Sequence, residues 1–194
     1  DSDFGHSLLK GVKEKLSAFK VSDVLSISYQ QNALINRSAV QQLSDFHPGG
    51  MFFFINQYQT EALVRSMNLD ILNGVSLFGT SMLPIDVSIF LTKRGLNLMK
   101  TEVVPNPAFS KLEIVKDYKD ILRTYMPEEL MTTQSLEAYI NARILLAAID
   151  GASSLTREAI NSWFEKLSKY KLDGLDLTFD EKQRQIAYYL WFND

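Results

Sequence analysis

The segment MFFFIN (51–56) constrains the fold more than any other stretch of this chain. It is an uninterrupted apolar run of strand length, with the break HPGG (47–50) before it and a helical pattern after it. A strand with one wet face alternates apolar and polar residues. A run without alternation belongs to a strand covered on both faces, as in a parallel sheet. Its neighbours fit that reading. VLSISY (24–29), VSLFG (75–79) and LMKTEVV (98–104) have strand composition, and Pro105 ends the last. Between them, SAVQQLSDF (38–46), QTEALVRSMN (59–68) and part of TSMLPIDVSIFL (80–91) read as helices. Strands alternating with helices over short links predict an α/β fold, a parallel sheet with helices on both faces. Right-handed crossovers then set the topology.

The chain opens on DSDFG, a tight polar turn, and an amphipathic helix follows with Leu8, Leu9, Val12, Leu16 and Phe19 on one stripe. A turn that feeds a helix usually follows a strand, and here none precedes it. Beyond VVPNPAF (103–109) the pattern becomes mostly helical to 169. LEIVKDYKDILRTY (112–125) is amphipathic, and SLEAYINARILLAAI (135–149) is apolar over most of its surface near its end, which predicts deep burial. Thr156 reads as an N-cap, with Leu155 and Ile160 as a hydrophobic staple. LDLTF (175–179) and 186–192 read as two late strands. The helices of 111–169 have no sheet of their own to cover. They pack on the first unit or need a partner sheet from outside this sequence.

Composition excludes several function classes. A net charge of −3 with scattered basic residues lacks the footprint of a nucleic-acid binder. The longest apolar runs fall short of the roughly 20 residues of a membrane span. There are no cysteines, so disulfides, thiolate metal sites and cysteine nucleophiles are excluded. His6 and His47 lack metal-ligand spacing and read as surface residues. GTSML (79–83) matches G-x-S-x-G at its first glycine and its serine but carries Leu83 in place of the second glycine. A hydrolase built on Ser81 with His6 or His47 is therefore disfavoured. No cofactor, metal or catalytic residue is expected.

In an open parallel sheet, ligands bind beyond the carboxyl ends of the strands. That rule selects Asp3 and Phe4, Gln30 and Gln31, Gln57 and Tyr58, and Thr80 and Ser81. Aromatic rings beside neutral donors and acceptors suit a small ligand with polar and apolar parts better than they suit catalysis.

Taken together, DSDFGHSLLKGVKEKL, SYQQNALINRSAVQQLSDFHPGGMFFFINQYQTEALVRSM, VVPNP, SLEAYINARILLAAI and LTREAI resemble the type I periplasmic binding proteins, specifically the leucine/isoleucine/valine-binding-like components of ABC transporters. The resemblance runs in order over essentially the whole chain. It implies two lobes with a ligand between them and three hinge crossings, with one lobe nearly complete here plus helices of the other. Residues 1–104 would form most of the second lobe, 105–180 a segment returning to the first, and 181–194 a strand crossing back. The upstream strand and the first lobe's sheet would then lie outside this sequence. By the same resemblance Phe4 would stack on the ligand, and Tyr58 with Gln57 would line the cleft. Thr80 or Ser81 would stand where amino-acid binders place a carboxylate for the ligand ammonium, a departure unless Asp3 or Asp86 substitutes. The implied role is capture of a small molecule by hinge closure for import. Its implied partners are ABC permease subunits and the missing N-terminal part or a second copy. The implied location is periplasmic or extracellular. The competing reading is a sensor or interaction module on the same fold.

Overall fold

The computed structural model describes residues 3–30, 33–35, 37–167, 169–182, 185–186 and 189–193. The chain divides into two compact units, Asp1–Lys100 and Thr101–Asn193.

The first unit begins with α1 (Asp3–Ala18) and α2 (Arg37–Phe46). Then come β1 (Gly50–Phe53), α3 (Gln57–Ser66), α4 (Leu69–Leu72), β2 (Ser76–Thr80), α5 (Ile85–Thr92) and β3 (Leu98–Glu102). β1 and β2 pair in parallel, with Gly50 opposite Ser76 and Phe53 opposite Gly79. In the sheet β3 lies beside β2, giving the order β1-β2-β3, and β6 (Trp191–Asn193) is a late strand of the second unit.

Period-two alternation sends Met51, Phe53 and Leu77 to one face of this sheet. There they pack with Leu63, Val64 and Met67 of the α3 region, Leu72 of α4, and Val87, Phe90 and Leu91 of α5. On the opposite face Phe52 and Phe78 stack with ring centroids 4.7 Å apart. MFFFIN is thus apolar on both faces, with Met51 and Phe53 in the core and Phe52, 44% exposed, on the other face.

Two elements differ from the sequence reading. α1 starts at Asp3, so Phe4 sits in a helical first turn rather than in a preceding loop. The stretch 24–29 has the composition of a strand but joins no strand of the sheet. Its alternation survives: Leu25, Ile27 and Tyr29 are half-buried while Ser26 and Ser28 are exposed.

The second unit contains α6 (Glu113–Tyr125), α7 (Thr133–Gly151), α8 (Arg157–Glu165) and an antiparallel hairpin of β4 (Tyr170–Leu172) and β5 (Leu175–Leu177). Its core joins Ile114, Val115 and Tyr118 to Leu136, Ile140 and Ile144, closed by Leu172 and Leu177 of the hairpin. α7 buries one stripe, Leu136, Ile140, Ile144 and Ala148, and leaves Leu145 and Leu146 exposed. The expected all-round burial is therefore confined to one side. Thr132 and Ser135 form a reciprocal capping box at the start of α7, and the Thr156 hydroxyl accepts from the Ala159 amide at the start of α8. The staple expected there does not close, because Leu155 is 79% exposed. Of the strand read over 186–192, residues 187 and 188 lie outside the described residues; β6 covers its end.

The Trp163 indole lies against Gly151, the last residue of α7, and a Cβ there would overlap the ring. Gly151→Ala should destabilise the second unit by about 1–3 kcal/mol, the usual cost of overpacking. A urea denaturation curve followed by tryptophan fluorescence measures it; an unchanged midpoint would contradict this contact.

Candidate functional site

Parallel pairing of β1 with β2 brings their carboxyl ends side by side, and with them the segments that follow. After β1, Asn56 caps α3: its side chain accepts from the Gln59 amide at 2.9 Å. Gln57 and Tyr58 are therefore the first two residues of a helix rather than loop residues, and the cap fixes their backbone. After β2, the Leu83 amide donates to the Thr80 carbonyl at 3.0 Å, and the Met82 amide lies 3.3 Å from the Thr80 hydroxyl. This turn carries Ser81. It is tight because Gly79 lies under Leu83; a Cβ there would sit 2.8 Å from a Leu83 methyl. Lys100 of β3, itself buried, donates its ammonium to the Leu83 carbonyl at 3.0 Å and holds the turn from below.

The structure thus brings Gln57, Tyr58, Thr80 and Ser81 to one rim of the sheet. Tyr58 presents its ring to solvent, 61% exposed, and Phe4 in the first turn of α1 is 54% exposed. Gln57 is half-buried and donates to the Glu61 carboxylate at 2.9 Å, which also takes Arg65 at 3.2 Å. That Gln57 donation above all, with Arg65 and Arg94 nearby, holds the Glu61 carboxyl below its usual value despite partial burial. Gln31 lies outside the described residues. His6 and His47 are both exposed. Asp86 is exposed in the first turn of α5, where a carboxylate complements the helix dipole. Leu83, standing where the elbow motif has its second glycine, is fully buried and packs the GTSML turn as a strand-to-helix link.

One residue of this rim escapes the sequence reading. Gln59 is 4% exposed, and its amide donates to the Gln30 and Ala33 carbonyls, each at 3.2 Å. It ties the loop after 24–29 to the start of α3. No residue pattern marks it, since glutamine on a helix is ordinarily a surface residue.

No family model matches the sequence, and no curated protein does. Solved structures do match. A substrate-binding periplasmic protein from Ralstonia solanacearum aligns over 99% of this chain and 56% of its own, at 20% identity and a TM-score of 0.76. A possible leucine/isoleucine/valine-binding protein from Rhodopirellula baltica aligns over 98% and 52%, at 22% identity and 0.72. An ABC-transporter solute-binding protein from R. palustris, solved with benzoate, aligns over 96% and 51%, at 11% identity and 0.71. The chain has the fold of a type I periplasmic binding protein. It spans about half the length of the structures it matches.

Two predictions concern the rim. Gln59→Leu keeps the volume and removes both donors, and should cost about 1–3 kcal/mol for two hydrogen bonds. Limited proteolysis should then cut faster around Gln30 and Ala33; equal cutting rates would contradict the tether. The second concerns pH. The folded Glu61 carboxyl titrates below its ordinary 4.5. Its contribution to stability is complete above that value and disappears as pH falls through the folded one. The denaturation midpoint of the native chain should fall relative to Glu61→Gln below about pH 4.5, with the gap constant at neutral pH. Parallel curves throughout would rule the Glu61 contact out as a source of stability.

Proposed function

We propose that this chain supplies one wall of the ligand cleft of a solute-binding protein, which captures a small molecule by hinge closure and delivers it to an ABC-type permease outside the cytoplasm. The observation that carries the reading is the rim itself: the exposed Tyr58 ring and neutral hydrogen-bonding groups at the carboxyl ends of a parallel sheet, where such sheets bind ligands. The fold supports it, since the matched structures are described as solute- or substrate-binding proteins. In this reading residues 1–104 belong to the second lobe, 105–180 return to the first, and 181–194 cross back. Phe4 and Tyr58 stack on the ligand while Gln57, Thr80 and Ser81 hydrogen-bond its polar edge. Closure acts by shifting the population toward a liganded, closed form.

The rim chemistry narrows the ligand class. Hydroxyls at Thr80 and Ser81 do not pair with an ammonium as a carboxylate does. An aromatic or aliphatic solute with a neutral or anionic polar group fits better than a zwitterionic amino acid. Titration calorimetry on the complete polypeptide containing this chain tests it, with benzoate-like carboxylates and branched-chain amino acids as probes. Phe4→Ala and Tyr58→Ala should each weaken binding about tenfold, as loss of a stacking aromatic does. Both are exposed, so melting should be unchanged. Affinity that survives both substitutions would remove these residues from the site.

A further inference from the structure

An asparagine or aspartate followed by glycine can close on itself. The glycine amide nitrogen attacks the side-chain carbonyl carbon and forms a succinimide ring, and glycine has no Cβ to obstruct the approach. The sequence holds three such pairs, Asp150-Gly151, Asp173-Gly174 and Asn73-Gly74. The fold treats them differently.

Two of the pairs are held. Asp150 and Gly151 are the last residues of α7, so the Gly151 amide belongs to the helical ladder, and the Trp163 indole lies against Gly151. Asp173 gives a carboxylate oxygen to Arg143 at 2.6 Å, and its carbonyl accepts the Ile114 amide at 3.0 Å. Its side chain and its backbone are both tied, and an ionised carboxylate is a poor electrophile.

The third pair is open. Residues 72–75 form a type II turn: Asn73 has φ −67° and ψ 122°, Gly74 has φ +81°, and the Val75 amide donates to the Leu72 carbonyl at 3.1 Å. Such a turn takes glycine at its third position because φ there is positive, so the turn itself imposes the glycine after Asn73. Both residues are exposed, and nothing lies within 4 Å of the place a Gly74 Cβ would occupy. Asn56, Asn68 and Asn106 each accept a main-chain amide with their side chains. Among the described residues the Asn73 side chain has no such engagement, and the Gly74 amide donates to no carbonyl.

We propose that Asn73 is a site of self-modification. The Gly74 amide nitrogen bonds to Asn73 Cγ, the Cγ–Nδ2 bond breaks, and the side-chain nitrogen leaves as ammonia with the proton the amide loses. Water then opens the ring at either carbonyl, giving aspartate or isoaspartate. Either product carries a carboxylate and lowers the net charge of −3 by one. Isoaspartate also routes the main chain through the former side chain and adds one methylene between Leu72 and Leu77, both buried. Within that interval the Ser76 amide donates to the Gly49 carbonyl at 3.1 Å, where the register of β1 and β2 begins. The change therefore loads the ladder at its amino end, at the other end of β2 from Thr80. The inference needs no ligand and stands apart from the proposed function.

Ageing the chain in mildly alkaline buffer, folded and in urea, tests it by tryptic peptide mapping. Arg65 and Lys93 bracket the peptide 66–93 that carries Asn73. In the folded chain this peptide should gain about 1 Da and split into aspartate and isoaspartate forms, at a rate within about threefold of that in urea. Isomerisation at Asp150 and Asp173, read from the retention of their peptides, should slow at least about tenfold on folding, because those sites react only through local opening. Asn73→Gln, which would need a larger ring, should abolish the gain in 66–93. A gain that persists in that variant places the reaction elsewhere and overturns the proposal. So does an Asn73 that folding slows as strongly as it slows Asp150 and Asp173, since the turn would then protect it.

Discussion

The parallel ladder between β1 and β2 is the constraint on which the first unit depends. Backbone groups in a buried strand must be paired, and parallel pairing supplies those pairs only if the chain returns to the same end of the sheet. That return is made by α3 and α4, which carry Leu63, Val64 and Leu72 into the core. One consequence is mechanical: the core packs on one face of β1 and β2. The other is chemical. Because Phe53 faces Gly79 in register, whatever follows each strand emerges on one rim. Gln57 and Tyr58 after β1, and Thr80 and Ser81 at the end of β2, therefore share the carboxyl edge of the sheet through backbone geometry.

Most of the fold is legible from periodicity because each element buries a face. MFFFIN, VSLFG and the helix after each appear where their patterns place them, to within three residues at the ends of the two strands and of α3. The failures have physical causes. The strand pattern of 24–29 is present, but a strand is a property of two segments, and 24–29 joins no sheet among the described residues. The apolar surface of α7 reads as buried all round, yet its own unit offers one layer of contacts, and Leu145 and Leu146 remain outside it. The Leu155 staple fails because a staple requires the chain before the cap to fold back, and 152–156 runs as an exposed bend instead.

The rim was located by a rule about strand ends, so it is legible only as far as the strands are. What the rule cannot see is the support beneath it. Lys100 is a charged residue in the apolar strand β3, and its role appears only when the Leu83 carbonyl stands 3.0 Å from its ammonium. Gln59 is the same case on a helix. Both are buried polar groups that brace a turn by donating to main-chain carbonyls, an interaction that depends on folded distance and leaves no spacing in sequence.

These supports bear on what the rim can recognise. Glu61 is the carboxylate nearest along the chain to Tyr58, and its oxygens already hold the Gln57 amide and the Arg65 guanidinium. Releasing it toward a ligand ammonium would break a charge-assisted pair and leave Gln57 to find another acceptor. The groups that remain for a solute are a ring, hydroxyls and main-chain amides at the start of α3. The last of these carry the positive end of the helix dipole. In the proposed reading, hydroxyls and helix-start amides at this rim favour a polar edge that is neutral or negative. In the same reading Glu61 offers no free carboxylate to a ligand ammonium, being engaged one helical turn away from the ring that faces solvent.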